Sequence, residues 1–211
     1  MTLTKKVHVK PGALYEVIVT TLGSDGRPHA APMGIRMIDY NSFSMRSYGE
    51  TKTLLNLRLR GQGVLNVVDD VEVFFKCIFE PHKLSFDWSM TIPRLKSACA
   101  WLLFRVENIV TRDEYYELLC SIVDFNAVKK KPKPLCRAET SLLEALIHYT
   151  RVKYYKSIGD EPKVCELKEL LNHHLLIVER IGWPKLKRMA SELKMKVLEL
   201  GIEPHRNYLL R

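Results

Sequence analysis

The first third of the chain alternates hydrophobic and polar positions in a way that predicts four β-strands and one helix. Residues 13–22 are rich in β-branched and aromatic side chains, which is typical of a strand. Ser24-Asp25-Gly26 predicts a tight turn, because glycine tolerates positive φ. The chain returns through residues 30–38 and continues into a short strand at residues 43–47. Residues 51–60 fit a helix that begins at an N-capping Thr51 and ends at Gly61, and a strand over residues 63–68 follows.

The middle of the chain predicts one more helix, followed by three apolar segments. Residues 69–79 begin with acids and become apolar, so they predict a helix that packs on the preceding strands and ends before Pro81. In residues 82–94, large apolar residues alternate with polar residues, which favours a half-buried strand or an extended excursion. Their large apolar side chains are interpreted as core, with a cover over a bound ligand as the alternative; they are Phe86, Trp88, Met90 and Ile92. Residues 98–110 and 115–123 fit strand or helix on local pattern alone.

From Arg137 onwards the apolar residues recur at helical spacing and predict three amphipathic helices. Prolines and glycines at residues 159–162 and 182–184 separate the helices, and Pro184 suits a first turn. The predicted buried faces are Leu142, Leu143, Leu146 and Tyr149 in the first helix, Val164, Leu167, Leu171, Leu175 and Val178 in the second, and Leu186, Met189, Ala190, Leu193, Val197 and Leu200 in the third.

Composition separates the two parts of the chain. Residues 1–128 hold 15 basic and 14 acidic residues, whereas residues 129–211 hold 18 and 10, so the second part carries almost all of the net charge of +9. The run from Lys129 to Pro134 predicts a solvated linker, and residues 1–10 predict a loosely held arm. We therefore expect two domains, residues 1–128 and a basic helical domain over residues 129–211.

Several classes of site and location are excluded or favoured by composition. The five cysteines are scattered, with no Cys-x-x-Cys pair, so we expect reduced thiols that act as small hydrophobes. No cluster of histidine and cysteine has metal-ligand spacing, so no metal site is expected. No run reaches the ~20 apolar residues of a membrane span, and no apolar secretion signal is present at the start, so we expect a cytoplasmic protein without a membrane partner.

The most informative chemistry lies between residues 46 and 53. The first turn of the predicted helix holds Lys52 and no acid, with Arg46 shortly before it, although helix N-termini usually favour negative side chains. Hydroxyl groups accompany these cations at Ser47, Thr51 and Thr53. The arrangement predicts a phosphate site. The alternative, a solvated helix start without a ligand, stays open on this spacing alone.

These motifs together resemble a known family. A strand, an Asp-Gly turn, Ala-Ala-Pro-Met-Gly, a short strand, Ser-x-x-x-Thr-Lys-Thr, a helix and an Asn-bearing strand look like the FMN-binding split barrel. The order of segments is most similar to a mainly archaeal, uncharacterised family that joins such a barrel to a C-terminal helical segment. The resemblance implies an α+β fold with a six-stranded antiparallel, flavin-reductase-like split barrel followed by three helices. It also implies that residues 98–110 and 115–123 are strands and that the protein is a homodimer.

The resemblance also implies which residues hold FMN. The isoalloxazine ring would lie along Ala31, Pro32, Met33 and Gly34. The phosphate would be held by Arg46, Ser47, Thr51, Lys52 and Thr53, and polar positions of the family are matched by Asn56 and Asn66. His29 departs from the pattern, because a smaller polar residue is expected before Ala-Ala-Pro. Contact with flavin and a solvent-facing position are both open for this histidine.

We therefore expect an FMN-binding protein that acts as a flavin-dependent oxidoreductase, with a nicotinamide or a deazaflavin as the electron donor. No catalytic side chain is identified, and the absence of an acid–base constellation argues against a hydrolase more than against a flavoenzyme, since the cofactor carries the electrons. The competing hypothesis is a non-enzymatic module whose basic helical part binds nucleic acid or an acidic protein. No recognition motif supports nucleic acid as a partner, so that partner is not expected. A third hypothesis has flavin bound for storage or sensing.

Overall fold

The structure, a computed structural model, describes Val7, residues 9–128 and residues 132–201. The chain divides into two compact units, Met1–Leu135 and Cys136–Arg211. The strands of the first unit are β1 (Leu14–Leu22), β2 (Pro28–Met37), β3 (Ser42–Ser47), β4 (Gln62–Val67), β5 (Phe86–Asp87), β6 (Arg94–Leu95), β7 (Ala100–Thr111) and β8 (Tyr116–Ala127). Its helices are α1 (Lys52–Arg60) and α2 (Val71–Phe79), with a short 3-10 helix at Pro81–Lys83.

Six of the strands form a closed antiparallel barrel in the order β1-β2-β3-β8-β7-β4. β1 pairs with β2 along its whole length, from Leu14 opposite Arg36 to Leu22 opposite Pro28, and closes the barrel by pairing with β4. β7 and β8 form a long hairpin. The predicted six-stranded antiparallel split barrel is thereby confirmed, including the two segments that local pattern left undecided between strand and helix.

The barrel interior is filled by large apolar side chains, including two from the strands on either side of β8. Phe43 of β3 and Phe104 of β7 are fully buried and meet edge to face, with ring centroids 5.3 Å apart. Burying each such side chain contributes roughly 1.5–3 kcal/mol. Gly63 faces the Phe104 ring so closely that an added Cβ would lie 2.6 Å from its Cζ. A glycine in β4 is therefore required for the aromatic pair to fit.

Helix α2 packs on one side of the barrel, as its amphipathic sequence predicts. Asp70 caps the helix, and Val73 and Cys77 join a buried cluster with Ile18 of β1. The segment after α2 is mainly an excursion with a two-stranded sheet, β5 with β6. Ile92 is buried, but Trp88 is 56% exposed, so the interpretation of Trp88 as core is wrong. Only Phe86 and Asp87 of residues 86–92 are in a strand, so the alternating apolar residues of this segment do not share one face.

Four of the five cysteines are buried and all five are free thiols. Burial raises the pKa of Cys77 to about 11 and, with Glu107 as a second cause, the pKa of Cys120 to about 12. These two groups therefore stay protonated at neutral pH. Cys165 differs because it is exposed on the surface of the helical unit.

The segments at the edges of the barrel unit are held more firmly than their sequence suggests. Val7 and Val9 are buried, so the prediction of a loosely held arm is wrong for them, and residues 1–6 and 8 lie outside the described residues. Pro132 and Pro134 are also buried, whereas residues 129–131 of the predicted linker are not described. Leu135 bridges to Glu16 of β1, so the barrel unit extends to that residue.

In the described part of the second unit the helices are α3 (Arg137–Ser157), α4 (Glu161–Ile181) and α5 (Pro184–Glu199), which confirms the predicted three-helix segment. The predicted face of α4 is correct throughout. The face of α3 is partly wrong, because Leu143 and Leu146 are exposed. Its buried residues are Ala138, Ser141, Leu142, Ala145, His148 and Val152. In α5, Met189 is exposed, in contrast to the prediction. Within the described residues, no helix is long and apolar enough to cross a membrane.

Candidate functional site

The barrel has an opening where β2 and β3 separate. The two strands pair only at Ile35 with Met45, Arg36 with Ser44 and Met37 with Phe43. Beyond Met45, β3 continues to pair with β8 as far as Ser47, but no described strand pairs with the outer edge of β2 from Pro28 to Gly34. Backbone polar groups on this edge are therefore available to a ligand, since half of the groups in a strand point to each side.

Helix α1 begins shortly after this separation, and Thr51 caps it as predicted. The Thr51 Oγ1 accepts a hydrogen bond from the Leu54 N–H at 3.2 Å. The N–H groups of Lys52 and Thr53 have no hydrogen-bond acceptor among the described residues. No acidic residue lies in the first turn. The start of α1 therefore offers two free donors and a positive end of the helix dipole to an anion.

Ser47 organises the loop that leads into this helix. Its side chain is buried, and its Oγ lies 2.8 Å from the Thr51 Oγ1 and 3.2 Å from the Gly49 carbonyl oxygen. A hydroxyl carries a single hydrogen, so the Ser47 hydroxyl donates to one of these acceptors at a time. When it donates to Thr51, the Thr51 hydrogen is left to donate outside the pair. Direct contact of either hydroxyl with phosphate stays a prediction.

The structure does not bring the Arg46 side chain together with the Ser47–Thr51 pair. Residues in a strand alternate between faces, and Arg46 is exposed whereas Met45 and Ser47 are buried. The Arg46 guanidinium carbon lies 4.3 Å from the centroid of the Tyr115 ring. This cation–π contact holds the charge near the opening but on the outer face of β3.

Lys52 is exposed at the start of α1 and has no ion-pair partner among the described residues. Its positive charge reaches His29 of β2, whose pKa is lowered by partial burial and, to a smaller degree, by Lys52. His29 is half-buried rather than freely solvated. The helix start and the unpaired edge of β2 are thus close enough to share one electrostatic environment.

Asn56 and Asn66 both use their amides within the barrel unit. The Asn56 amide donates to the Thr21 hydroxyl at 2.9 Å and ties α1 to β1. Asn66 is fully buried; its amide nitrogen donates to the Ile18 carbonyl at 2.9 Å, and its oxygen accepts the Leu95 N–H at 2.7 Å. These bonds support the wall behind the opening, and contact of either asparagine with a cofactor stays a prediction.

The four predicted ring-contacting residues, Ala31 to Gly34, lie consecutively on the part of β2 whose outer edge is unpaired, and all are half-buried. Gly34 is not required by the packing of the protein. A Cβ added there would meet the Leu14 and Glu16 side chains at 3.6 Å or more, which is ordinary contact. Its φ is also outside the left-handed region. A glycine inside a strand without a packing reason is consistent with close approach of a ligand.

Two residues that support the site, Thr21 and Tyr115, are not predicted from the sequence. Thr21 fixes α1 through Asn56, and Tyr115 holds Arg46. Both contacts join residues that are far apart along the chain, so no local signal identifies them. In the described part of the chain, no group of three histidine, cysteine, aspartate or glutamate residues could hold a metal ion.

Family models match both units of the chain. Residues 15–129 match the N-terminal domain of the protein family of unknown function DUF447, and residues 136–194 match the second part of the same family. The chain belongs to the DUF447 family. This confirms the resemblance to a family that joins a flavin-reductase-like split barrel to a C-terminal helical segment.

Among solved structures, this DUF447 chain is similar to an FMN-bound DUF447 protein from Methanosarcina mazei. The two sequences are 25% identical, the match covers 90% of this chain and 97% of the other, and the TM-score is 0.51. The 2-nitrobenzoate 2-nitroreductase of Pseudomonas fluorescens is 23% identical over 58% of this chain and 68% of its own, with a TM-score of 0.47. A nitrilotriacetate monooxygenase component B homologue from Mycobacterium thermoresistibile is 16% identical over 59% and 76%, with a TM-score of 0.49.

Proposed function

We propose that this DUF447 protein binds FMN at the opening between β2 and β3. The observation that carries the proposal is the start of α1, where the N–H groups of Lys52 and Thr53 and the Lys52 ammonium are without partners among the described residues. An FMN phosphate would satisfy all three at once. The FMN-bound family member, which matches over nearly its full length, supports the same assignment.

The residues present fit a flavin nucleotide in two respects. Hydrogen bonds to a charged group contribute roughly 1.5–3 kcal/mol each, so the donors at the start of α1 can retain a phosphate. The unpaired edge at Ala31–Gly34 presents backbone groups and small side chains to a flat ring. Ser47 and Thr51 would shape the phosphate loop, and Arg46 would add positive charge from the outer face of β3.

We further propose that the protein acts as a flavin-dependent oxidoreductase. The flavin, when bound, supplies the electron-transfer chemistry, and the chain binds it, orients it and sets the polarity around it. A nicotinamide or a deazaflavin is the expected electron donor, and the acceptor substrate is not specified by any side chain described above.

The binding test is a titration of the purified full chain with FMN and, separately, with riboflavin, followed by quenching of flavin fluorescence. We expect saturable FMN binding, and we expect Lys52→Gln to weaken FMN binding at least about tenfold while leaving riboflavin binding unchanged, since only FMN carries the phosphate. Lys83→Gln, which removes an exposed lysine paired with Glu80, is the matched control. Absence of FMN binding would refute the proposal.

The oxidoreductase part has its own test. The FMN-loaded protein is mixed anaerobically with NADH, NADPH or a reduced deazaflavin, and bleaching of the flavin absorbance is recorded. Rapid reduction by one donor, followed by reoxidation over repeated cycles with an added acceptor, would support an enzyme. Tight FMN binding without reduction by any donor would support storage or sensing.

We also propose that the protein is a homodimer. The barrel unit exposes large apolar side chains on α1 and α2, with Leu59 59% and Phe79 66% exposed. A dimer interface would remove such side chains from water. Light scattering during size-exclusion chromatography is expected to give twice the chain mass of 24.5 kDa. Phe79→Lys is expected to shift the protein towards a monomer, and a monomeric wild type would refute the proposal.

A further inference from the structure

The register of the barrel places His29 beside α1. It is the direct partner of Thr21 in the antiparallel pairing of β1 with β2. Directly opposed residues of antiparallel strands project their side chains to the same face. The Thr21 hydroxyl on that face accepts the Asn56 amide of α1 at 2.9 Å. The imidazole of His29 therefore extends from the face of β2 that α1 covers.

The charge of Lys52 acts on the His29 imidazole. The charged groups on the elements around β2 are Lys52, Arg58 and Arg60 of α1, Glu16 of β1, Arg46 of β3, the exposed Asp25–Arg27 pair in the turn before β2, and the Glu72–Lys76 pair of α2. Of these, Lys52 is the one whose charge acts on His29, and with partial burial it lowers the pKa of that histidine. The lowered pKa favours the neutral imidazole of His29 in the protein alone.

We propose that His29 is a ligand of the FMN phosphate and that it takes up a proton when the nucleotide binds. The proposal rests on the proposed function and assigns a role to the residue at which this chain departs from the family pattern. A neutral imidazole beside Lys52 avoids a second positive charge. A phosphate dianion beside both groups reverses that preference, because it attracts the imidazolium and accepts its N–H.

The consequence is a coupling between protonation and binding. If FMN binding favours the protonated imidazole, protonation must favour FMN binding by the same factor. The affinity of the wild-type protein for FMN should therefore gain from acidification through the range in which His29 titrates. Riboflavin lacks the phosphate, so its binding should not gain in this way.

The test is isothermal titration calorimetry of the full chain with FMN at pH 7, in buffers of different ionisation enthalpy, which counts the protons taken up on binding. We expect the wild type to take up a substantial fraction of a proton more than His29→Gln does. At pH 6 we expect His29→Gln to bind FMN about tenfold more weakly than the wild type, with a smaller difference at pH 8. The titration of free FMN is common to both experiments and cancels in the comparison, so the difference reports His29 together with the phosphate that it contacts.

His82→Gln is the matched control, because His82 is exposed on the 3-10 helix after α2, and it should behave as wild type. His29→Asn serves as a second variant, with circular dichroism and urea unfolding to verify the fold of each. Equal proton uptake and equal FMN affinity in the wild type and both His29 variants would overturn this inference and leave FMN binding intact. Absence of FMN binding at every pH would overturn the proposed function and this inference together.

Discussion

The hydroxyl oxygens of Ser47 and Thr51 lie 2.8 Å apart, and this contact joins the end of β3 to the cap of α1. Three residues separate them, and those residues form the loop that turns the chain into the helix. The contact matters for the proposed phosphate site because the same Thr51 oxygen accepts the Leu54 N–H. The cap thereby orients the first turn, and with it the free N–H groups of Lys52 and Thr53.

Thr51→Val should therefore weaken both the fold and the site. Loss of an N-cap hydroxyl costs about 1 kcal/mol of stability, which urea unfolding measures. We also expect weaker FMN binding in the fluorescence titration, because the first turn of α1 loses its fixed orientation. Thr140→Val, at an exposed position of α3, is the control and should change neither quantity. Unchanged FMN affinity in Thr51→Val would contradict a role of the cap in the site.

Substitutions at Gly34 should change flavin binding without changing the stability of the fold. Because the protein has room for a Cβ there, Gly34→Ala should retain the wild-type free energy of unfolding to within about 0.5 kcal/mol. We expect it to lower the affinity for both FMN and riboflavin, since both carry the ring. Gly34→Val should lower it further. A stable Gly34→Val protein with wild-type flavin binding would mean that the ring does not approach this strand.

The buried side chain of Asn66 is predicted to stabilise the fold, independently of cofactor binding. Asn66→Leu leaves the buried Leu95 N–H and the Ile18 carbonyl without their side-chain partner. Each unsatisfied buried group costs roughly 1–3 kcal/mol, so we expect a loss of about 3 kcal/mol in urea unfolding. Asn108→Leu, on the exposed part of β7, is the control and should change the stability by less than about 0.5 kcal/mol. A similar small effect at Asn66 would contradict this account.

The stacked histidines of the helical unit predict a loss of stability in acid. His148 of α3 and His174 of α4 lie with ring centroids 5.5 Å apart, and the Nδ1 atoms of both are buried without a hydrogen-bond partner in the described structure. Burial, followed by the charges of His148 and His173, lowers the pKa of His174, and Glu144 opposes this shift. The unfolded chain therefore binds more protons, so stability should fall as the pH decreases below about 6.5.

Urea unfolding of the full chain at pH 7.5 and pH 5 checks this expectation. His174→Phe keeps an aromatic ring in the stack and removes the titrating group, so the difference in midpoint between the two pH values should shrink. His82→Gln, at an exposed position of the barrel unit, should retain the wild-type difference. An equal pH dependence in His174→Phe and the wild type would show that other groups cause it.

Local pattern predicted the elements around the site and the three C-terminal helices, because each depends on neighbours in sequence, but it left β7 and β8 undecided between strand and helix. The strand and helix boundaries around the site follow from alternation, from the Asp-Gly turn and from the capping threonine. The face of α4 was equally readable, since its apolar residues recur at spacings of three and four. The buried face of α3 was predicted only in part. Ala145 and His148 are buried there and Leu143 and Leu146 are exposed, because close packing against another helix selects residues by fit as well as by hydrophobicity.

The sequence by itself determined that hydroxyl and positive groups gather at the start of α1 and that small residues follow one another on β2. Only the tertiary structure decided which of these groups share a space. It placed Arg46 over Tyr115, Asn56 against Thr21, and His29 within reach of the Lys52 charge. The physical reason is that strand register and barrel closure set these distances, and both arise from pairings between residues far apart in the chain.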